Sequence, residues 1–236
     1  MKKVFSRPHL YSHRGLGYGG KENTLASFSS CLHQDHLDGM ELDVQQTADG
    51  KLVVIHDFNL KRVTGTDAEV SELSYAELKT IYAELPLLDE VFSLCRDTLL
   101  YDLEIKSETI HTLGLEERLL KMITSHHLAK KVVVSSFNPV SLLRFKRLSG
   151  AQIPTALIYS SDASVPRVLQ HGLGRYVARP SYLKPEQAQA GQALKTAYQI
   201  CTWTVDDVQA AQHLIKAGVM GIISNTPGEL AHLFNF

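Results

Sequence analysis

Short runs of β-branched residues alternate with amphipathic stretches along the chain, and this rhythm constrains the fold more than any other feature. The predicted strands are 9–14, 39–45, 52–56, 99–106, 132–137, 155–159, 176–178, 199–205 and 221–224. The predicted helices between them are 25–33, 115–126, 140–148, 185–195 and 208–217. Strands followed by helices, repeated this often, predict a parallel sheet covered by helices. About eight such units in 236 residues favour a closed α/β barrel of the TIM type, (β/α)8, over an open sheet.

Two connections depart from this rhythm. Only residues 47–51 separate the second and third predicted strands, too few for a crossover helix, and their Asp49-Gly50 pair is typical of a hairpin turn. We therefore expect these two strands to be antiparallel, with His56 roughly opposite Glu41. The longest gap, 57–98, holds helical patterns at 71–82 and 87–95 and predicts a short helical insertion that caps the barrel mouth. The whole chain, 1–236, is predicted to form one domain.

Composition excludes several classes of partner. The formal net charge is -1, so the chain has no excess of basic residues with which to bind nucleic acid. No run approaches the roughly 18 apolar residues of a membrane span, and the N-terminus lacks the apolar stretch of a signal peptide. The three cysteines have no CxxC spacing, which indicates buried free thiols in a reducing compartment. We expect a cytoplasmic protein; its oligomeric state has no signature in the sequence.

Acidic residues stand at the ends of predicted strands, where barrel enzymes place their sites. Since strand side chains alternate between faces, Glu41 and Asp43 point the same way, as do Glu104 and Lys106. The apolar residues between them face the outer helices, which directs the charged ones inward. Acids that converge in this way would repel one another, and a hard divalent cation such as Ca²⁺ or Mg²⁺ relieves that repulsion. The alternative is a buried salt-bridge network with Lys106 as the counter-ion.

Two histidines, His13 and His56, end strands beside these acids. One could accept a proton from an attacking hydroxyl while the other protonates a leaving oxygen, as general acid–base catalysis requires. They could instead be ligands of a softer metal such as Zn²⁺. Three carboxylates favour a site made of oxygens alone and leave the imidazoles free. Arg14 and Lys106 could stabilise charge on a phosphoryl group, pair with the carboxylates, or do both.

These motifs, in this order, resemble the glycerophosphodiester phosphodiesterase family over nearly the whole chain. The matching segments are Ser12-His13-Arg14-Gly15, Glu22-Asn23-Thr24, Glu41-Leu42-Asp43-Val44, Thr47-Ala48-Asp49-Gly50, Val53-Val54-Ile55-His56-Asp57, Pro86-Leu87-Leu88-Asp89-Glu90-Val91, Leu103-Glu104-Ile105-Lys106, Ser136-Phe137, Trp203-Thr204-Val205 and Gly221-Ile222-Ile223. The resemblance implies a TIM barrel, a bound Ca²⁺ or Mg²⁺, and hydrolysis of a small glycerophosphodiester to glycerol 3-phosphate and an alcohol. Such a reaction belongs to lipid and glycerol metabolism.

The resemblance also implies a role for each matching residue. By that match Glu41, Asp43 and Glu104 would hold the metal, and His13 and His56 would be the acid–base pair. Arg14 and Lys106 would bind phosphate, and Trp203 would line the glycerol pocket. We expect a glycerol hydroxyl to attack phosphorus and water then to open the cyclic phosphate, without a covalent enzyme intermediate.

Three positions depart from the family pattern. Lys21 replaces a proline before Glu-Asn-Thr, and the usual Thr-Asp near the end reads Ser224-Asn225. The His/Asn-Pro pair of the seventh strand reads Arg179-Pro180, and we expect Arg179 to reshape the substrate pocket.

Other functions compete with this prediction. Residues 15–20 fit the G-x-G-x-x-G fingerprint of dinucleotide-binding proteins, with acids roughly 20 residues further on. The preceding strand is too polar for the middle of an open sheet, and the helix is predicted to begin near Asn23 and Thr24, after the last glycine. These glycines are therefore interpreted as a mobile loop at the barrel mouth. Two alternatives are closer to the predicted phosphodiesterase and would use the same site: a lysophospholipase D, and a cyclase that stops at the cyclic phosphate.

Overall fold

The strands of this protein form a nearly closed barrel in the computed structural model, which describes residues 4–17, 22–107, 113–163 and 165–234. The strands are β1 (His9–Ser12), β2 (Gly39–Gln46), β3 (Leu52–Val54), β4 (Leu100–Ile105), β5 (Val132–Ser136), β6 (Thr155–Tyr159), β7 (Tyr182–Pro185), β8 (Cys201–Thr202) and β9 (Gly221–Ser224). Within these ranges eight strands follow the order β7-β6-β5-β4-β2-β1-β9-β8 with parallel pairing. Parallel bridges from Leu183 to Ile200 and from Glu186 to Trp203 join β7 to β8. The predicted TIM-type barrel is confirmed.

The predicted hairpin is also confirmed. Strand β3 pairs antiparallel with β2, and Val54 lies opposite Val44. The turn is closed by a hydrogen bond from Gly50 N to Thr47 O of 2.9 Å, and the φ of +77° at Gly50 explains the glycine there. Because Ile55 N donates to Asp43 O, the chain runs on beside β2 and brings His56 to the acid-bearing strand.

Helices cover the outside of the barrel. They are α1 (Leu25–Cys31), α2 (Lys61–Thr64), α3 (Tyr75–Ile81), α4 (Leu88–Cys95), α5 (Leu115–Ser125), α6 (Pro139–Leu148), α7 (Arg175–Ala178), α8 (Ala190–Ala193), α9 (Val208–Lys216) and α10 (Pro227–Leu230). Several begin at a side-chain cap: Thr24 accepts from Ser27 N before α1, and Asn138 accepts from Val140 N before α6. Among the described residues, no helix has the length and apolar character needed to cross a membrane.

The predicted seventh strand is wrong. Residues 176–178 belong to α7, and the strand that pairs with β6 is Tyr182–Pro185. Tyr176 and Val177 favour strands by propensity, but both are exposed, whereas Leu183 is fully buried against its neighbours. The predicted helix at 185–195 is shorter than expected, because Pro185 still belongs to β7 and only a 3₁₀ turn and α8 follow.

The barrel has two apolar clusters, one between the strands and the helices and one inside the barrel. Outward-facing strand residues such as Leu103 pack with the helices, while Tyr11, Tyr182 and Cys201 fill the interior together with Phe5 from the N-terminal segment. Filling the interior from one end leaves the polar strand ends at the opposite rim.

All three cysteines are free and buried, as the sequence predicts.

The insertion 57–98 has an apolar cluster of its own. Leu60, Val70, Leu78 and Leu85 are fully buried there together with Val53 of β3. Helix α4 packs instead beside α1 on the outside of the barrel. The function of this insertion as a cap stays a prediction.

Candidate active site

A cavity of about 1410 Å³ opens at the carboxyl ends of the parallel strands. It is lined by most of the residues that the sequence singles out, namely His13, Arg14, Glu41, His56, Glu104, Lys106 and Trp203. Asp43 is almost completely buried behind them. Every predicted site residue therefore lies at or next to one cavity, on the face of the barrel where TIM-barrel enzymes place their sites.

The three predicted metal-binding acids meet at one point. Glu41, Asp43 and Glu104 each offer one carboxylate oxygen, and these oxygens all lie within 4.8 Å of one another. Strand β2 supplies the first two from one face, and its neighbour β4 supplies the third, with Asp43 in register with Glu104. Three hard oxygen donors at this spacing are a set that Ca²⁺ or Mg²⁺ could bind.

The charge around these acids is unevenly distributed. Asp43 lies 3.6 Å from Lys106 Nζ and 3.3 Å from Arg14 Nε, and it accepts a 2.8 Å hydrogen bond from Asn23 Nδ2. Burial alone would raise the pKa of Asp43, but Lys106 and Arg14 outweigh it and lower the pKa. Burial and the repulsion of Asp43 raise the pKa of Glu41 well above its usual value. A divalent cation beside Glu41 would relieve both effects, so the donors fit a metal ion.

A tight turn after β1 positions Arg14. Its backbone N donates to Glu41 Oε2 at 3.1 Å, while Nη1 lies 3.1 Å from Glu22 Oε1. The φ of Arg14 is +56° and that of Gly15 is +77°, and a Cβ on Gly15 would lie 2.5 Å from Ser27 Oγ. Only glycine fits this approach, which explains the His-Arg-Gly sequence.

Lys106 follows β4 and faces the same acids. Its Nζ lies 3.0 Å from Glu104 Oε1, in addition to its pairing with Asp43. Burial would lower the pKa of Lys106, but these two carboxylates outweigh it and raise the pKa. Lys106 thus stays positively charged at the cavity wall.

His13 is held by an amide. Its Nδ1 lies 2.7 Å from Asn225 Oδ1, and Asn225 Nδ2 in turn donates to Asp206 Oδ2 at 2.8 Å. Because an amide oxygen only accepts, Nδ1 carries the proton and Nε2 has a free lone pair. Burial and the nearby Arg14 lower the pKa of His13 to about 4, so the ring is neutral at pH 7. Its Nε2 lies 3.9 Å from Glu41 Oε2.

His56 is held by a carboxylate. Its Nδ1 lies 2.6 Å from Asp57 Oδ1, and its side chain is 35% exposed against 15% for His13. Arg62 of α2 pairs with Asp57 and also with Glu22. Burial would raise the pKa of Asp57, but the hydrogen bonds from Arg62 and His56 outweigh it and lower the pKa. The anionic Asp57 can stabilise a positively charged imidazole in a way that the amide of Asn225 cannot.

Sequence reasoning missed a buried lysine. Lys184 of β7 is 2% exposed, its Nζ lies 3.0 Å from Asp102 Oδ2, and it donates to Ser135 Oγ at 3.2 Å. Burial would lower the pKa of Lys184, but Asp102 and Glu41 outweigh it and raise the pKa. A lysine between apolar residues in Tyr182-Leu183-Lys184-Pro185 is the sequence signal for this site, but the predicted strand at 176–178 leaves that segment outside the sheet.

Arg179 and Asn225 also differ from expectation. Arg179 precedes β7 with an exposed side chain and is not among the described residues that line the cavity, so its effect on the pocket stays a prediction that this geometry does not support. Asn225, one of the departures from the family pattern, contacts His13 directly.

The opposite side of the cavity is apolar. Trp203 donates from Nε1 to Lys184 O at 3.0 Å, and its ring lies edge-on to Phe137 with 5.7 Å between centroids. From there the lining continues over residues that we call the apolar wall: Phe137, Val140, Val165, Pro166, Val168 and Leu169.

The glycine-rich fingerprint is not the start of a dinucleotide site. Gly15 serves the turn before α1, and α1 begins at Leu25 after its cap Thr24, beyond the last glycine. The sheet closes into a barrel instead of staying open. Residues 18–20 of the predicted loop, and Lys21, lie outside the described residues.

Barrel and cavity together define an enzyme of the TIM-barrel class, and comparison with known proteins narrows that class. The model of the glycerophosphoryl diester phosphodiesterase family matches residues 13–229. The chain is 34% identical to a glycerophosphodiester phosphodiesterase of Caldanaerobacter subterraneus, over 95% of this chain and 96% of that protein. It is 30% identical to one of Bacillus altitudinis, over 92% and 94% of the two chains.

A solved structure shows the same fold. A phosphodiesterase of Oleispira antarctica, in complex with the product sn-glycerol-3-phosphate, superposes with a TM-score of 0.78 at 24% identity and covers 96% of each chain. The chain belongs to the glycerophosphoryl diester phosphodiesterase family.

Proposed function

We propose that this protein hydrolyses glycerophosphodiesters to glycerol 3-phosphate and an alcohol with the help of one divalent cation, Ca²⁺ or Mg²⁺. The observation that carries this proposal is the convergence of three carboxylate oxygens within 4.8 Å beside two histidines that line the same cavity. The names of the relatives support the reaction, and the product bound to the Oleispira protein supports the substrate class.

Glu41, Asp43 and Glu104 would hold the cation. When bound, it would supply Lewis-acid polarisation to oxygens of the glycerol and the phosphate. The raised pKa of Glu41 supports this assignment, because a buried carboxylate next to Asp43 needs a compensating positive charge. The alternative of a salt-bridge network alone accounts for Lys106, which pairs with two of the acids, but leaves Glu41 poorly compensated.

Arg14 and Lys106 would bind the phosphate. Both are cations at the cavity wall, and negative charge accumulates on the nonbridging oxygens as the nucleophile attacks. Trp203 would line the glycerol pocket with the face that its contact with Phe137 leaves free.

The two histidines would divide the proton transfers. Nε2 of His13 accepts the proton of a glycerol hydroxyl, whose oxygen forms a bond to phosphorus. The bond from phosphorus to the alcohol oxygen breaks, and His56 donates the proton that this oxygen needs. Water then opens the cyclic phosphate with the roles reversed, and glycerol 3-phosphate leaves. The neutral partner of His13 and the anionic partner of His56 support this order.

The test is turnover of glycerophosphocholine by protein stripped with EDTA and reconstituted with Ca²⁺ or Mg²⁺, followed by phosphorus NMR. We expect activity only with added cation, glycerol 3-phosphate as the final product, and loss of turnover in His13→Ala and His56→Ala. His33→Ala, on an exposed histidine away from the cavity, is the control. Near-normal turnover of either site variant would refute the acid–base assignment. Accumulation of cyclic glycerol phosphate would identify the cyclase instead.

A cytoplasmic location and the absence of a nucleic-acid partner stay predictions from the sequence.

A further inference from the structure

Arg62 of α2, in the insertion 57–98, joins two separate parts of the active site. Its Nε donates to Asp57 Oδ2, and its Nη2 donates to Glu22 Oε1. Asp57 directly follows His56, whereas Glu22 lies in the connection between β1 and α1. The side chain of Arg62 also lines the cavity. One guanidinium therefore ties the segment that carries His56 to the segment that follows β1.

The first of these contacts fixes the carboxylate that orients His56. Asp57 Oδ1 lies 2.6 Å from His56 Nδ1, and Asp57 Oδ2 accepts from Arg62, so each oxygen has its own partner. A carboxylate held at one oxygen turns readily about its last side-chain torsion, whereas one held at both oxygens has a fixed plane. Within the described part of the chain, no other group hydrogen-bonds to this imidazole. The orientation of His56 therefore depends on Arg62 through Asp57.

The second contact reaches the phosphate-binding side of the site. Glu22 Oε1 accepts from Arg14 Nη1 at 3.1 Å as well as from Arg62. Arg14 Nε in turn lies 3.3 Å from Asp43 Oδ2. The charges thus alternate along one chain of contacts from the converging acids to the rim, made of Asp43, Arg14, Glu22, Arg62, Asp57 and His56. Arg62 is the link between its two halves.

The insertion holds the backbone of Arg62 in place. Leu60, two residues earlier, is fully buried in the apolar cluster of the insertion. Its carbonyl oxygen accepts from Thr64 N at 2.9 Å, which closes the helical turn around Arg62. Asn59 Nδ2 donates to Glu69 Oε1 at 2.8 Å and ties the start of the turn to the returning chain. Arg62 therefore extends from a fixed base towards the two acids.

Stability does not explain this arrangement. The Arg62 side chain is 51% exposed, and its partners Asp57 and Glu22 are 22% and 24% exposed. Ion pairs with exposed members contribute little to the free energy of unfolding. The alternative is that Arg62 binds the phosphate directly. Its described contacts include none of the three acids proposed to hold the cation, beside which the phosphate would lie, and this favours an indirect role.

We propose that Arg62 is a positioning residue, which holds Asp57 against His56 and Glu22 against Arg14, and that the insertion 57–98 serves turnover by placing this side chain. The proposal rests on the proposed function. Arg62 acts through its two acids and does not touch the substrate.

The first test is turnover of glycerophosphocholine by cation-reconstituted Arg62→Gln. We expect kcat to fall about 10- to 100-fold with KM within about threefold of wild type, because the reacting groups are misplaced while the substrate still binds. The melting temperature should stay within about 2 °C of wild type. Arg147→Gln, on an exposed arginine of α6, is the matched control and should keep full activity. A rise in KM alone would assign Arg62 to substrate binding, and unchanged kcat would end the proposal.

A double-mutant cycle identifies the route of the effect. If Arg62 acts through Asp57, the loss of kcat in Asp57→Asn/Arg62→Gln should fall well below the product of the two single losses. A loss equal to that product would contradict the proposal. Arg62→Lys repeats the cycle with a charge-conserving variant should Arg62→Gln melt at a lower temperature. It should recover only part of kcat, since a single ammonium lacks the fork that reaches both acids.

The last measurement needs no turnover. Nitrogen NMR of the metal-free protein in mildly alkaline buffer should show His56 as one tautomer in wild type and as a mixture in Arg62→Gln. The His13 signals should stay the same, because Asn225 holds that ring. A single His56 tautomer in both proteins would refute positioning through Asp57. Wild-type protein that is inactive with either cation would instead refute the proposed function, and the NMR result would still decide the role of Arg62.

Discussion

The two sides of the cavity are built in opposite ways. On the charged side, strand ends present side chains joined by ion pairs and hydrogen bonds; Asp43, for example, contacts Lys106, Arg14 and Asn23. On the apolar wall, side chains such as Val165 and Val168 come from connections after the strands and have only packing contacts. Chemistry needs positions fixed by rigid elements, whereas substrate selection can be left to connections.

The charged side itself contains a second contrast. His13 is buried and oriented by the neutral amide of Asn225, while His56 is nearer the rim and oriented by the anionic Asp57. The two imidazoles therefore differ in burial and in the charge of the group that orients them.

The largest effect is expected from replacing one of the acids proposed to bind the cation on the charged side. Glu104→Gln should lower kcat/KM by about 10³-fold or more, because the cation and its electrostatic stabilisation are lost together. Melting curves supply a second measurement: Ca²⁺ or Mg²⁺ should raise the melting temperature of wild-type protein but not of this variant. Glu117→Gln, on the exposed side of α5, is the control. A Glu104→Gln protein with full cation-dependent activity would contradict the metal site.

The next largest effect, on kcat, is expected from replacing Asn225, the hydrogen-bond partner of His13. Asn225→Leu should lower kcat about 10- to 100-fold with little change in KM, because Nδ1 loses the acceptor that fixes the tautomer. Asn225→Asp should keep most of the activity, since a carboxylate also accepts from Nδ1. Nitrogen NMR of the imidazole should show one tautomer in wild-type protein and a mixture in the leucine variant. Unchanged kcat in Asn225→Leu would mean that His13 needs no orienting partner.

A smaller effect is expected from the apolar wall. Val140→Ser should change kcat/KM for glycerophosphocholine by no more than about twofold, because a polar substrate makes few contacts there. On the lysophospholipase D alternative, the same change should weaken hydrolysis of lysophosphatidylcholine by roughly tenfold, since an acyl chain would lose apolar contact. Equal losses on the two substrates would show that the wall serves the chemistry and would erase the contrast between the two sides.

The smallest expected effect is that of His13 on how the free energy of unfolding depends on pH. The pKa of His13 falls from 6.5 to about 4 on folding, chiefly through burial. Below pH 6.5 the unfolded chain therefore binds more protons than the folded one, and stability falls as the pH is lowered from 6.5 towards 4. Urea unfolding of metal-free protein should show this decline, and His13→Gln should show a shallower one. Identical slopes for both proteins would indicate that His13 is not buried in its neutral form.

Much of this molecule follows from sequence alone. The alternation of strand and helix patterns predicts the barrel, and the short Asp49-Gly50 connection predicts the hairpin, because both depend on local periodicity and turn chemistry. Strand alternation also places Glu41 beside Asp43 on one face, and barrel closure by parallel strands brings Glu104 to them.

Only the tertiary structure decides the rest. Asn225 reaches His13 across 212 positions, and the Lys184–Asp102 pair joins β7 to β4; no local pattern signals either contact. The sequence predicts the seventh strand at 176–178 because Tyr176 and Val177 have the local preference for a strand, while pairing with β6 and burial select Tyr182–Pro185. Strand propensity is overridden when another segment both pairs with a neighbouring strand and is buried in the core. Which segment becomes the strand therefore depends on contacts between residues far apart in sequence.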